Sequence, residues 1–264
     1  MIRLTLIAIL LVLSPLAQAE RVFEGEKVVE IFQSQDFDAN LAKAEEGDVR
    51  AQYLVGAAYL YGLEAQEVEV DHEKGLNWLK VAARQGAAEA FDELASAYSE
   101  GLGVEKNASK YEKYLAEAGE RGIRSAKLDL LDLYQDGNSE LGIAADEEKY
   151  LYWLEKTAED GVLISMRNMA HRYRQGRGFE VDYEKAFEWI MRAVNLDDLT
   201  AQRMAGEYFE KGMVVEKDLV KAYMMYDLSG TVPSTRRDEL EERMTEEQVE
   251  EAIARSWQWQ LERN

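Results

Sequence analysis

The sequence predicts an all-α protein, a solenoid of about five stacked helical hairpins, and three observations carry that expectation. An aromatic residue followed three positions later by glycine recurs as Tyr59/Gly62, Tyr98/Gly101, Tyr134/Gly137, Tyr173/Gly176 and Phe209/Gly212. The aromatics are spaced by 39, 36, 39 and 36 residues, and a near-constant period of this size marks a repeat array in which each unit covers the apolar face of the next. Each unit also holds an acid or amide with lysine three residues on, from Asp71/Lys74 to Asp218/Lys221, where a second helix should start.

The chain has 264 residues, a formal net charge of −21, two histidines and no cysteine. Arg3, the apolar run 4–13, Pro15 and the small-residue box Ala17-Gln18-Ala19 have the three parts of a signal peptide over residues 1–19. The run is too short to span a bilayer, so cleavage after Ala19 is expected, with no stable membrane anchor. Without cysteine, no lipid can be attached through the first mature residue, Glu20. The expected product is soluble and either periplasmic, in a bacterial envelope, or secreted. Its excess of carboxylates repels nucleic acid phosphates and anionic headgroups, which argues against both as general partners.

Residues 20–50 read as a partial first unit and N-terminal cap, with Asp36 ahead of a short helical run and Gly47 closing it. Five full units follow at 51–86, 87–122, 123–161, 162–197 and 198–230. The first helix of each carries a small residue eight before the aromatic (Ala51, Ala90, Ala126, Ser165, Ala201) and a further core position four before it (Val55, Leu94, Leu130, Met169, Ala205). With the aromatic these fall at i, i+4 and i+8, one buried stripe of an amphipathic helix. The glycine after the aromatic sits where a helix stops in the left-handed conformation. The connecting loop is three residues longer in the first and third units, which produces the alternating spacing.

The second helices start at Asp71, Asn107, Asp146, Asp182 and Asp218 and carry Trp78, Tyr114, Trp153, Trp189 and Met225 at one shared offset, where a large side chain bridges the hairpin to its neighbour. Pro233 interrupts the fifth unit. Residues 231–264 read as a C-terminal helical cap, with Thr245 and Gln248 placed as a capping box and Val249, Ile253, Trp257 and Leu261 on one face. Trp257 and Trp259 are two apart, so one of them should be partly exposed.

The Gly-x-Gly loops, as in Gly101-Leu102-Gly103-Val104 and Gly176-Arg177-Gly178-Phe179, together with the Asp-x-x-Lys-Ala-x-x-Trp second helices, resemble the Sel-1-like repeat, a relative of the tetratricopeptide repeat. The resemblance covers about residues 36–230. It implies a right-handed superhelix of antiparallel helix pairs whose concave surface binds other proteins, and a role as an exported adaptor. The small cysteine-rich members linked to β-lactam binding are a poor match for a chain without cysteine.

No chemistry is written into the sequence: it lacks a Gly-x-Ser-x-Gly elbow, a P-loop, a His-Glu-x-x-His helix and any cysteine nucleophile. No catalytic residue, cofactor or metal is therefore expected. His72 and His171 lie in separate units and read as surface residues rather than ligands, and residues 132–140 as a turn rather than a calcium loop. Residues 162–195 stand out by charge, with Arg167, Arg172, Arg174, Arg177, Lys185 and Arg192 against four acids. Either these cations pair with acidic neighbours or they form a docking site for a carboxylate-bearing partner. Helix phase sends the positions six and two before each aromatic away from the core, and among them Tyr53, Arg167, His171 and Arg203 are the expected partner-binding residues. The expected function is a non-catalytic protein-binding scaffold. A cell-wall hydrolase using paired carboxylates and a self-associating structural subunit are the alternatives.

Overall fold

The computed structural model describes residues 31, 32, 34, 36–230 and 234–263; the expected leader over 1–19, its cleavage point and Pro233 lie outside them. Among the described residues the regular structure is helical, in two compact units, one ending at Ala145 and the other beginning at Asp146. The first holds α1 (Phe37–Glu45), α2 (Val49–Tyr61), α3 (His72–Arg84), α4 (Ala88–Glu100), α5 (Ala108–Glu120) and α6 (Arg124–Asp136). The second holds α7 (Glu147–Glu159), α8 (Leu163–Gln175), α9 (Tyr183–Val194), α10 (Leu199–Lys211), α11 (Leu219–Ser229), α12 (Ser234–Glu241) and α13 (Glu246–Leu261). Within each unit successive helices pack side by side, except that α13 packs on α11 rather than on α12.

The periodic residues form the core. Val55, Leu94, Leu130, Met169 and Ala205 are fully buried, and Ala51, Ala90, Ala126, Ser165 and Ala201 nearly so. Small residues one place on let the hairpins close tightly. A methyl group on Gly56 would stand 2.8 Å from Leu79, and one on Gly206 would stand 2.6 Å from the ring of Tyr226.

The joint of four of the hairpins, the first, second, fourth and fifth, explains the Asp-x-x-Lys signature. The cap residue's backbone N–H donates to the carbonyl of the aromatic on the preceding helix, as in Asp71 to Tyr59 (2.8 Å), Asn107 to Tyr98 (3.0 Å), Asp182 to Tyr173 (2.9 Å) and Asp218 to Phe209 (3.0 Å). That bond satisfies a carbonyl which a helix end would otherwise leave unpaired. The cap side chain accepts from the lysine's backbone N–H. The lysine side chain then lies over the same aromatic ring, 5.2 Å from Tyr59, 4.5 Å from Tyr98, 5.2 Å from Tyr173 and 5.5 Å from Phe209. One motif thus starts the second helix, finishes the first and covers the core aromatic.

The Gly-x-Gly loops are seats for the neighbouring repeat. Gly178 has φ +78°, and a side chain there would collide with Leu151 on α7; Gly103, at φ +67°, lies against His72 at the start of α3. The longer first and third loops each close with a short antiparallel bridge, Leu63 to Val68 and Asn138 to Ile143. The calcium-like stretch accordingly comprises the last turn of α6 and the turn that closes it, with Asn138 Oδ1 accepting from the backbone of Leu141.

At the C-terminal end Thr245 and Gln248 form the reciprocal capping box of α13. Its apolar stripe does not face the core, however. Ile253, Trp257 and Leu261 are exposed, and the buried face is made by Ala252 and Ser256. Ser256 Oγ donates to Asp227 on α11 at 2.6 Å, so small side chains and a hydrogen bond bring α13 close to α11 where bulky ones would hold it off. Trp259 is the partly covered tryptophan, and its indole N–H donates to Asp197 at 3.2 Å.

Gly178→Ala should lower stability by about 2 kcal/mol, since it adds a collision with Leu151 to the cost of a positive φ. Gly142→Ala, at φ +70° with nothing within 4 Å, should cost only about 1 kcal/mol. Equal losses in paired denaturant melts would mean that the loop is not seated on α7.

Candidate functional site

Helix phase brings three of the four expected partner-binding residues together in the second unit. Arg167 and His171 on α8 share a face with Arg203 on α10, and the structure adds Arg174, Glu207 and Lys211 to it. Glu207 is the hub, 3.3 Å from Arg203, 3.9 Å from Arg174 and 4.0 Å from Lys211. Arg174 and Lys211 were within reach of sequence reasoning, because Arg174 lies seven residues after Arg167 and Lys211 four after Glu207, both helix-face spacings. Arg174 already stands in the basic stretch of the sequence, whereas Lys211 lies outside it and outside the two helix offsets that point away from the core.

The members of this face are not equivalent. Arg167 pairs with Asp198, a buried carboxylate whose other oxygen caps α10 by accepting from Ala201 N–H at 2.7 Å. It is therefore a positioning residue for α10 as well as a surface cation. Arg174, Arg203 and Lys211 share one carboxylate and keep donors to spare, as five-donor guanidinium groups and an ammonium must when a single anion serves all three. Burial holds the His171 imidazole below its ordinary pKa, and Arg174, Arg167 and Arg203 push it the same way while Glu207 opposes them. A neutral imidazole in a ring of cations is the result at neutral pH.

Other cations of the basic stretch have internal work. Arg172 lies 4.6 Å over Tyr150 and pairs with Glu147, Arg192 stacks 4.1 Å over Trp189, and Lys185 belongs to a hairpin joint. The pairing of cations with acidic or aromatic neighbours thus accounts for Arg172, Lys185 and Arg192.

Tyr53 does not belong to an open face. It is 4% exposed within a cluster that includes Leu54, Leu76 and Leu94, and its hydroxyl donates to Glu93 at 3.1 Å. The cause is that α2 is apolar around nearly its whole circumference, and such a helix is covered on every side rather than presenting a wet face. Its phase therefore does not predict exposure.

In the first unit two of the equivalent positions carry acids, Asp92 and Asp132. Asp92 on α4 is partly buried, accepts from Ser125 Oγ at 3.4 Å, and has Glu93, Asp129 and Glu89 nearby. Burial, then repulsion by Glu93 and Asp129, pushes its pKa up to about 6. Glu93 is also raised by burial, although the hydroxyls of Tyr61 (2.5 Å) and Tyr53 (3.1 Å) both donate to it. No group of three or more acids or histidines is placed to hold a metal ion among the described residues, and no described helix is long and apolar enough to cross a membrane.

Comparison with known proteins gives this geometry a context. A sequence model described as Sel1 repeat matches residues 49–86, 92–123, 132–162, 163–198 and 199–230. A Sel1 repeat protein from Oxalobacter formigenes is similar at 28% identity and a TM-score of 0.53, over 74% of this chain and 57% of that one. A protective antigen of uropathogenic Escherichia coli strains, c5321, is 25% identical with a TM-score of 0.49, over 88% of this chain and 51% of its own. The chain therefore spans little more than half the length of either protein. A search of curated proteins finds no match.

The raised pKa of Asp92 has a definite sign. Its charged form is disfavoured in the fold, so the group is harmless below its unfolded value near 3.8 and costs stability as pH rises from there through about 6. Asp92→Asn should therefore stabilise the protein at pH 8, by about 1 kcal/mol after allowing for solvent screening, and the gain should vanish near pH 4. A gain independent of pH would show that charge is not its source.

Proposed function

Because this chain belongs to the Sel1 repeat family, whose repeats generally mediate protein interactions and are generally non-catalytic, we propose that it is an exported adaptor which captures a carboxylate-bearing protein. The capturing face is the one built by His171 and Arg174 on α8 with Arg203 and Lys211 on α10. The observation that carries this reading is a shortage of anions. Three cations converge on Glu207 alone, in a chain whose net charge is −21, so the face is a local reversal of the protein's sign. Arginine forks match carboxylates in a two-point geometry, and charge complementarity of this kind sets partner choice and encounter rate. Export is supported by the leader-like residues 1–19, and the periplasm or the exterior is the proposed location.

The hydrolase alternative would call on Asp92 and Glu93. Glu93 already accepts from two tyrosine hydroxyls, which gives it a structural role and favours the non-catalytic reading.

A photo-crosslinker placed beside the face at Gln175 should trap an envelope protein, and Arg174→Glu with Arg203→Glu should abolish the trapping while leaving the helical spectrum intact. Capture should weaken in high salt. It should also strengthen as pH falls through the depressed His171 value, because protonation adds a positive charge to the face. Undiminished trapping by the double variant would remove this reading.

A further inference from the structure

A second site lies in the same unit, where the N-terminal turn of α10 meets α11 and α13. Gln202 on α10 is 3% exposed, and its side-chain Oε1 has no hydrogen-bond partner among the described residues. It lines a cavity of about 250 Å³ with Leu199, Leu228, Asp197, Trp259 and Arg263. A buried acceptor left unpaired is costly, and in most proteins such a group is matched by a protein donor or an ordered water molecule, the place a ligand N–H can take.

The first repeat identifies the missing donor. Gln52 occupies the same place on α2 as Gln202 on α10: each follows the small core residue, Ala51 or Ala201, whose backbone N–H is capped by Asp48 or Asp198. Gln52 is equally buried, but its Oε1 accepts from the carboxamide of Gln85 at 2.6 Å, and its own Nε2 donates to the Ala44 carbonyl at 3.2 Å. Gln85 follows the cap Asp71 by fourteen residues. The same count from Asp218 reaches Val232, whose side chain has no carboxamide, and α11 has already ended at Ser229. The fifth repeat keeps the acceptor and has lost the residue that served it.

The rest of the cavity is arranged for the other half of an amide. The guanidinium of Arg263 lies 3.6 Å over the Trp259 ring, and its Nε is fixed to Asp197 Oδ1 at 3.2 Å, the oxygen that also accepts from the Trp259 indole. The two Nη groups have no partner among the described residues and remain available to a carbonyl oxygen. Leu199 and Leu228 supply an apolar wall. We infer that this cavity binds an amide with a small branched apolar flank, its N–H donating to Gln202 Oε1 and its carbonyl accepting from Arg263. Such a group is offered by the backbone of a peptide or by a carboxamide side chain. The site is separate from the cationic face, and nothing in its assignment depends on that face.

The test is a titration of the full chain, isotope-labelled and followed at the Trp259 indole N–H by NMR, with three probes of one shape. N-methylisovaleramide represents a peptide backbone and isovaleramide a carboxamide side chain, whereas methyl isovalerate keeps the carbonyl but has no N–H. At least one amide should shift the Trp259 signal, and the tighter of the two names the natural source. The ester should bind about tenfold more weakly, the loss expected for one hydrogen bond. Gln202→Met should abolish the preference of amide over ester, and Arg263→Ala, a surface change, should weaken the amides about tenfold while the helical spectrum is unchanged. Failure of both amides to shift the signal, an ester equal to them in the unaltered protein, or a preference that survives Gln202→Met would each overturn the assignment.

Discussion

The structure depends on the joint between the two helices of a hairpin. A helix end leaves carbonyls unpaired and a helix start leaves N–H groups unpaired, and in this protein the two deficits are joined by the bond from cap N–H to aromatic carbonyl. The bond fixes the aromatic at the last turn of one helix opposite the first turn of the next, where the lysine can cover its ring. Apolar burial alone would allow the two helices to slide along each other. A hydrogen bond at a fixed residue pair sets the register and lets one pattern of small, large and aromatic positions serve in each of the four hairpins that have it.

That joint is also why so much of the fold was legible. Its parts lie within about twenty residues of sequence and recur, so the Asp-x-x-Lys signature, the aromatic and the glycine could be aligned without coordinates. What could not be read depends on contacts between elements far apart in the chain. Tyr53 looked available by phase, yet α4 and its Glu93 cover it. The stripe of Val249, Ile253, Trp257 and Leu261 looked like a packing face, but the side chosen to meet α11 was the one with the smallest residues and a serine that could reach Asp227. The candidate face lay between these cases. Arg167, His171 and Arg203 were found from phase, whereas the roles of Glu207 as shared anion and of Arg167 as guard of the α10 cap require distances between helices.

Charge is distributed by unit, and this has an energetic logic. In the first unit partly buried acids on α4 and α6 repel one another and titrate high, so some stability is given up there at neutral pH. In the second, the equivalent helices carry cations tied to single carboxylates. Neither arrangement is what stability alone would favour, since surface ion pairs contribute little and like charges detract.

The loops of unequal length have a practical consequence. Most helices of the hairpins run for thirteen residues whether the loop between them is long or short, and the surplus in the first and third units is taken up by a turn that closes on itself through Leu63 and Val68 or Asn138 and Ile143. Each bulge is tied off at its own base, and its tip also reaches a neighbour: Gln66 Oε1 accepts from the Phe37 backbone N–H at 2.7 Å, and Glu140 pairs with Lys106. Those two tips therefore serve as clasps as well as slack, and a tag or a foreign epitope spliced into either would undo its clasp before it disturbed the helices on either side.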